Sequence, residues 1–135
     1  FSNLTGGDYK ENGELEILGR KISTFKRAQG SVWFQFKELC EGPRSAKDYI
    51  EICTEFHTVF ISHIPIFTIN NEDSARRFIA LIDECYERKV NLILSLEATI
   101  ENLYQGKRLI EPYKRTLSRL EEMRSREYLS KPHLG

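Results

Sequence analysis

The sequence predicts an α/β fold, in which a small sheet combines a parallel βαβ unit with an N-terminal antiparallel hairpin and is flanked by helices. Three observations support this prediction. The apolar runs 58–64 and 90–96 are typical of buried strands, and the segment 73–89 between them carries apolar residues at helical spacing. The run 32–36 alternates β-branched and aromatic residues with others. A strand, a crossover helix and a second strand form a βαβ unit with parallel strands.

The N-terminal hairpin is predicted from two strand-like segments. The segment 15–25 has apolar residues around Gly19, which indicates a strand with a bend, and 32–36 is its expected partner across a turn at 27–30. Because side chains alternate along a strand, one face of 32–36 receives three apolar residues and the other face two residues. The first set is Val32, Phe34 and Phe36, and the second is Trp33 and Gln35.

The helices follow from capping and periodicity. Ser45 with Asp48 three residues later approximates a capping box, which predicts a helix over 46–56. After the second strand of the βαβ unit, a short helical stretch is expected to end near 105–106. A last helix is predicted from Thr116 onward, because three apolar residues recur every three positions and form a narrow stripe. These residues are Leu117, Leu120 and Met123.

The 135 residues are within the range of one domain. We expect a single domain over 15–129, a flexible lead-in or linker remnant at 1–14, and a frayed tail at 130–135. The sequence begins with Phe1 rather than Met. We therefore expect it to be an excerpt of a longer protein, whose other part holds further chemistry.

Charge and cysteine content narrow the function classes. Twenty basic residues balance twenty acidic ones, so the chain has no global field that would attract nucleic acid or an anionic membrane. Its three cysteines have irregular spacings that fit neither a disulfide framework nor a zinc motif, which predicts a reducing compartment. No apolar run reaches the roughly 18 residues that a membrane span needs.

Five sequence blocks, spread from residue 18 to residue 129, resemble the C-terminal region of the Afg-one-like (ZapE-like) AAA+ ATPases. They are LGRKI, FQFKELCEGPRSAKDYIEI, FHTVFI, ARRFIALIDECYERKVNL and RTLSRLEEMRSREYL. The order of the RRF-x-x-LID and RT-x-SRL-x-EM blocks is the specific part of the match. One departure is Arg124, which stands where the family commonly has Gln.

The resemblance implies that the parent protein binds and hydrolyses ATP with magnesium. Bacterial members act in cell division on the tubulin-like ring protein, and mitochondrial ones assist protein turnover. The expected partners are the AAA+ core of the same chain, neighbouring subunits and a protein client such as the ring protein, without a membrane span or nucleic acid. The expected compartment is the bacterial cytoplasm, with the mitochondrion as the alternative.

This segment lacks the motif that would bind ATP phosphates. A P-loop requires the spacing GxxxxGK[ST], and no such run occurs in the sequence. The first strand of the βαβ unit is followed by Ser62-His63-Ile64 and not by the acidic pair that would hold magnesium. We therefore expect the isolated chain to have no catalytic residues, no bound cofactor and no metal.

Four arginines are the best candidates for chemistry on behalf of a neighbouring subunit, because an arginine can stabilise the charge of a phosphoryl group in transfer. Arg76 and Arg77 open the crossover helix, while Arg115 and Arg119 are one turn apart on the last helix and would share a face. The alternative is that all four form salt bridges with nearby carboxylates. Those carboxylates are Glu72, Asp73, Glu111 and Glu122.

Other residues are interpreted as structural. Cys53 and His57 are spaced like a nucleophile and base on one helix, but no oxyanion-stabilising turn accompanies them, so Cys53 is expected to fill the core. His63 is expected to be a loop or capping residue, because no second ligand stands at metal spacing. Asp48, Tyr49, Tyr86 and Asp83 are expected to be polar anchors, with Asp83 pairing with Arg76 or Arg77.

Two function classes remain open from the sequence. The first is a part of an ATP-driven remodeller that contacts subunits or clients. The second is a stand-alone protein-interaction module without a nucleotide role, which uses the last helix or the hairpin. A surface that binds single-stranded nucleic acid is a further possibility, because Trp33, Phe34 and Phe36 stand near several cations. The net charge of zero disfavours nucleic-acid binding. The cations are Arg20, Lys21, Lys26 and Arg27.

Overall fold

The computed structural model describes residues 10–11, 13–17, 20–24, 26–28, 30–41 and 45–124. In chain order the strands are β1 (Lys10–Glu11), β2 (Glu14–Ile17), β3 (Arg20–Ser23), β4 (Lys26–Ala28), β5 (Ser31–Gln35), β6 (Thr58–Ile64) and β7 (Asn91–Leu96). The helices are α1 (Phe36–Cys40), α2 (Ala46–Glu55), α3 (Glu72–Glu87) and α4 (Ile110–Met123).

Five strands form the main sheet in the order β1-β4-β5-β6-β7, and β2 and β3 form a separate two-stranded sheet. The central strands β5, β6 and β7 are parallel, with Val32 opposite Val59 and Val59 opposite Leu92. Since α3 connects β6 to β7, the predicted βαβ unit is confirmed. The capping-box helix is confirmed too, because α2 begins at Ala46 and the Ser45 N–H donates to the Asp48 carboxylate at 2.8 Å.

The antiparallel pairing differs from the prediction. The segment 15–25 does not pair with 32–36 as one bent strand. Instead β2 and β3 pair with each other, and β5 pairs with the short strand β4, in which Arg27 lies opposite Val32. The alternation correctly predicts strands within 15–25, but the sequence contains no signal that distinguishes one bent strand from two strands that pair at Ile17 and Arg20.

The side-chain alternation in the parallel strands places one apolar face against the helices. Val32, Phe34, Val59 and Ile61 are at most 1% exposed. Beneath the helices, three phenylalanine rings form the centre of the core, with ring centroids 5.4 to 6.3 Å apart. They are Phe36, Phe67 and Phe78. On the opposite face, Trp33 stacks on Phe60 at 5.9 Å and donates a hydrogen bond to Ser62.

Two other helix predictions are corrected. The segment 97–109 consists of turns and a bridge between Phe67 and Tyr104, and not of a short helix. The last helix starts at Ile110, six residues before the predicted start at Thr116, with Pro112 in its first turn. Pro is tolerated there because the first backbone N–H groups of a helix have no partner within it. The predicted tail, 130–135, is outside the described residues.

Candidate functional site on the last two helices

Helices α3 and α4 lie side by side and run in the same direction. Glu72 at the start of α3 contacts the backbone just before α4. Asp83, about three turns further along α3, contacts Arg119 of α4. The buried face of α4, a helix that packs on α3, is formed by residues at helical spacing. They are Tyr113, Thr116, Leu120 and Met123, with Leu117 partly buried beside them. Packing therefore determines which face of α4 is buried and which is exposed.

Arg119 joins the two helices. Its guanidinium donates a hydrogen bond to the Asp83 carboxylate, and it lies 5.0 Å from the centre of the Tyr86 ring. The hydrogen bond between Tyr86 and the Glu122 carboxylate, followed by burial, raises the pKa of Tyr86. A cation over an aromatic ring and an ion pair act here on the same guanidinium. Arg119 therefore restrains the position of α4 on α3.

The structure separates the members of each predicted arginine pair. Arg77 is half-buried and donates to the Cys40 carbonyl at 3.3 Å, whereas Arg76 one position earlier is exposed. Arg119 is held by Asp83, whereas Arg115 one turn earlier is exposed. Within the described part of the chain, Arg76 and Arg115 have no ion pair or hydrogen bond from the side chain. Both guanidiniums are exposed on the surface that the described residues form.

A buried carboxylate fixes the loop that leads into α4. Glu72 is 5% exposed, and one of its oxygens accepts a hydrogen bond from the Tyr104 hydroxyl. Its other oxygen accepts the backbone N–H groups of Lys107 and Arg108 at 3.0 and 2.8 Å. The Tyr104 hydroxyl in turn accepts the N–H of Leu109 at 2.7 Å. Three hydrogen bonds to one carboxylate thus tie 104–109 to the start of α3.

Gly106 is required for this close approach. A Cβ at position 106 would lie 2.4 Å from the Glu72 carboxylate and 2.7 Å from the Tyr104 hydroxyl. Neither group has room to move away, because both are held by the hydrogen bonds just described. The loop therefore passes over Glu72 at a distance that only glycine permits.

Glu72 should make stability depend on pH. Burial raises the pKa of this carboxyl, but the hydrogen bonds from Tyr104, Arg108 and Lys107 outweigh burial and lower it below the ordinary value of 4.5. Since the folded form holds the proton more weakly than the unfolded form, the stabilisation is present above pH 4.5 and is lost as the pH falls through the lower folded pKa.

We expect Glu72→Gln to flatten the fall in urea midpoint that the unmodified protein undergoes between about pH 5 and pH 3. The matched control is Glu111→Gln, which removes a carboxyl that is 81% exposed and paired with Lys114 on the surface. An equal fall in urea midpoint for Glu72→Gln and the unmodified protein would contradict the role of Glu72.

The cysteine, the two histidines and the aspartate that the sequence marks as structural lie in different parts of the fold. Cys53 is buried and its sulfur contacts that of Cys85, while His57 lies outside helix α2, exposed, and bonds to the Thr58 hydroxyl. The structure therefore does not bring Cys53 and His57 together as nucleophile and base. His63 is exposed at the irregular end of β6 with a φ of 60°. Asp83 pairs with Arg119 and not, as expected, with Arg76 or Arg77.

The aromatic residues of 32–36 do not form a shared platform. Phe34 is fully buried on the helix-covered face of the sheet and Phe36 is fully buried in α1, while Trp33 lies on the other face of the sheet. Base stacking needs aromatic faces that lie side by side on one exposed surface. The arrangement of these three residues therefore gives no support to nucleic-acid binding.

The end of β6 carries no carboxylate that could bind magnesium. The end of β6 offers the Ser62 hydroxyl, which is engaged by Trp33, and the exposed His63. In the described ranges, no group of three or more His, Cys, Asp and Glu side chains could hold a metal ion. Nor is any helix there long and apolar enough to cross a membrane.

Two side-chain contacts of the structure were not predicted from the sequence. They are the Glu72–Tyr104 contact and the Cys53–Cys85 contact. Glu72 could have been singled out as an acidic residue in the first turn of a predicted helix, where carboxylates are favourable. Its partner lies 32 residues away in a loop, and the two cysteines are 32 residues apart as well. No periodicity or local spacing indicates contacts of that range.

Comparison with known proteins identifies one family. A family model described as AFG1-like ATPase matches residues 1–132. Cell division protein ZapE of Escherichia coli K12 is 44% identical over 132 residues, which are 98% of this chain and 35% of ZapE. No solved structure matches the chain with significance.

Similarity extends to eukaryotic proteins. An uncharacterised protein of Schizosaccharomyces pombe is 38% identical over 91 residues, which cover 67% of this chain and 20% of that protein. Lactation elevated protein 1 homolog B of Danio rerio is 39% identical over 90 residues, which cover 66% of this chain and 18% of that protein. The chain thus spans about a third of the length of ZapE and less of the other two.

Proposed function

The chain belongs to the AFG1-like ATPase family, and we propose that it is the part of such an ATPase that contacts neighbouring subunits or a protein client, while the P-loop lies elsewhere in the protein. The observation that carries the proposal is the pair of arginine placements on α3 and α4. One arginine of each pair is bound within the domain and the other is exposed.

The exposed Arg115 is the leading candidate for a trans-acting arginine. It lies on a helix whose opposite face is buried and whose neighbouring turn is held by Arg119 and Asp83. A guanidinium that acts on a phosphoryl group must be held in position, because misplacement by even about 1 Å can cost 10²-fold in rate. Arg119 therefore acts as a positioning residue for Arg115 in this proposal. Arg76 on α3 is a second candidate, and Arg77 supports it through the Cys40 carbonyl.

In this proposal the rest of the parent protein binds ATP and magnesium, because the GxxxxGK[ST] spacing of a P-loop does not occur in this sequence. ZapE is a cell division protein, and we extend this role to the parent of this chain as a proposal. The client would be a protein of the division machinery, such as the tubulin-like ring protein, and the place of action the bacterial cytoplasm.

The isolated chain should release no phosphate from ATP above the rate of a buffer blank, although it should be folded by circular dichroism. The full-length protein, assayed beside it at the same concentration with magnesium, should release phosphate at a rate clearly above that blank. Turnover by the isolated chain that persists after further purification and disappears in Arg115→Ala would contradict the proposal. It would place a complete ATPase site within these 135 residues.

A further inference from the structure

The sulfur atoms of Cys53 and Cys85 lie in contact inside the domain. Their separation is 3.1 Å, and both residues are 0% exposed. Cys53 belongs to α2 and Cys85 to α3, and these helices pack against each other over the same face of the sheet. No disulfide joins any of the three cysteines in this structure.

We propose that Cys53 and Cys85 form a site of oxidative modification, in which a small-molecule disulfide such as oxidised glutathione converts the two thiols into a disulfide that cross-links α2 and α3. The S–S distance in a disulfide is about 2.05 Å, so the sulfurs need to approach by only about 1 Å from their present contact. Rotation of the two side chains, together with a small shift of α2, would bring the sulfurs to that distance.

The reaction balances through two exchange steps. One cysteine thiolate attacks a sulfur of oxidised glutathione, which forms a mixed disulfide and releases one glutathione thiolate. The second cysteine then attacks the mixed disulfide, forms the Cys53–Cys85 bond and releases the second glutathione. The protein loses two electrons and two protons, and the glutathione disulfide is reduced to two thiols.

Burial sets the rate of this modification. Burial, followed by the hydrogen bond with Cys53, raises the pKa of the Cys85 thiol well above its ordinary value. The thiolate is the attacking species, and the reagent has no access to a fully buried sulfur. Oxidation therefore requires a local opening of α2, which is a ten-residue helix with an exposed outer face. We expect low concentrations of urea to accelerate oxidation before the protein unfolds.

Cys40 provides the matched control. It is also fully buried, and burial raises its pKa to about 12, but its sulfur contacts the Tyr49 hydroxyl at 3.9 Å and not another thiol. A reagent that enters during local opening can reach all three cysteines. Only Cys53 and Cys85 have a second sulfur in contact, so intramolecular exchange is specific to this pair.

The test is incubation of the protein with oxidised glutathione in urea below the unfolding transition, followed by mass spectrometry under non-reducing conditions. We expect a mass loss of about 2 Da, a single cross-link between peptides containing Cys53 and Cys85, and its complete reversal by dithiothreitol. The oxidised protein should unfold at a temperature higher by roughly 5–15 °C than the reduced protein. Cys40→Ala should form the same cross-link.

Three results would overturn the proposal. They are three unmodified thiols after incubation in urea just below the unfolding transition, glutathione adducts without a mass loss of about 2 Da, and a cross-link that includes Cys40. Because the cross-link is mapped in the unmodified protein, the test does not depend on the folding of a variant. Cys85→Ala, where it folds, should form a glutathione adduct and no internal cross-link.

Discussion

Replacement of Arg115 by alanine in the full-length protein is expected to lower ATP turnover by about 10³-fold while nucleotide affinity changes by less than about threefold. The exposed guanidinium of Arg115 has no partner within the described part of its own domain, so its removal should leave the fold intact. A loss confined to the turnover number indicates an interaction made in the transition state. Steady-state phosphate release and fluorescent-nucleotide binding measure the two quantities.

Lys114→Ala is the matched control for Arg115→Ala. Lys114 is the adjacent cation on α4, and it pairs with Glu111 on the surface. Its removal changes the net charge by the same amount and should leave turnover unchanged. Equal losses in both variants would indicate a general electrostatic effect of the basic segment. Unchanged turnover in both would instead favour the interpretation of this segment as a platform for a protein partner.

Replacement of Phe78 by alanine is expected to lower the free energy of unfolding by about 3–5 kcal/mol. Phe78 is fully buried and its ring lies 5.4 Å from that of Phe67 and 6.3 Å from that of Phe36. These rings connect α3, α1 and the loop after β6. The cavity that the substitution leaves would therefore lie where these three segments meet. The cost contains the lost transfer free energy of the ring and the contacts that its neighbours lose.

Urea unfolding followed by tryptophan fluorescence measures this loss. Ile110→Ala serves as the control, because Ile110 is 49% exposed at the start of α4 and its truncation should cost less than about 0.5 kcal/mol. A loss below about 1 kcal/mol in Phe78→Ala would contradict the assignment of the aromatic cluster as the centre of the core.

Local patterns sufficed to predict the parallel part of the fold. The runs that became β6 and β7 are apolar almost throughout, and α3 has a clear helical period. Strand β6 is buried on both faces, whereas β7 lies at the sheet edge with Ile93 exposed. The capping residues Ser45 and Asp48 marked the start of α2 to the residue. Short-range chemistry is encoded within a few residues of sequence, which is why these elements could be located.

The antiparallel elements and the last helix could not be predicted as well, because long-range contacts determine them. The pairing of β4 with β5 depends on where the chain reverses, and two short strands fit the alternation of 15–25 as well as one bent strand. The start of α4 depends on Glu72, which binds the backbone of 107–108 from a different helix. Nothing near Ile110 in the sequence indicates that carboxylate.

The roles of the arginines required three-dimensional contacts for the same reason. The sequence places Arg115 and Arg119 one turn apart and gives them equal standing. Arg119 is held and Arg115 is exposed because Asp83 and Tyr86 of α3 contact Arg119. Similarly, Arg76 and Arg77 differ because the Cys40 carbonyl is within reach of Arg77.

The most direct test of a trans-acting Arg115 is ATP turnover by mixtures of two inactive full-length variants. One variant carries Arg115→Ala, and the other carries a replaced lysine in the P-loop that we place outside this chain. If Arg115 acts on the nucleotide of a neighbouring subunit, an equal mixture should recover roughly a quarter of the unmodified rate, because one interface in four then combines an intact P-loop with an intact Arg115. A mixture that stays at the sum of the two separate rates would contradict the proposal.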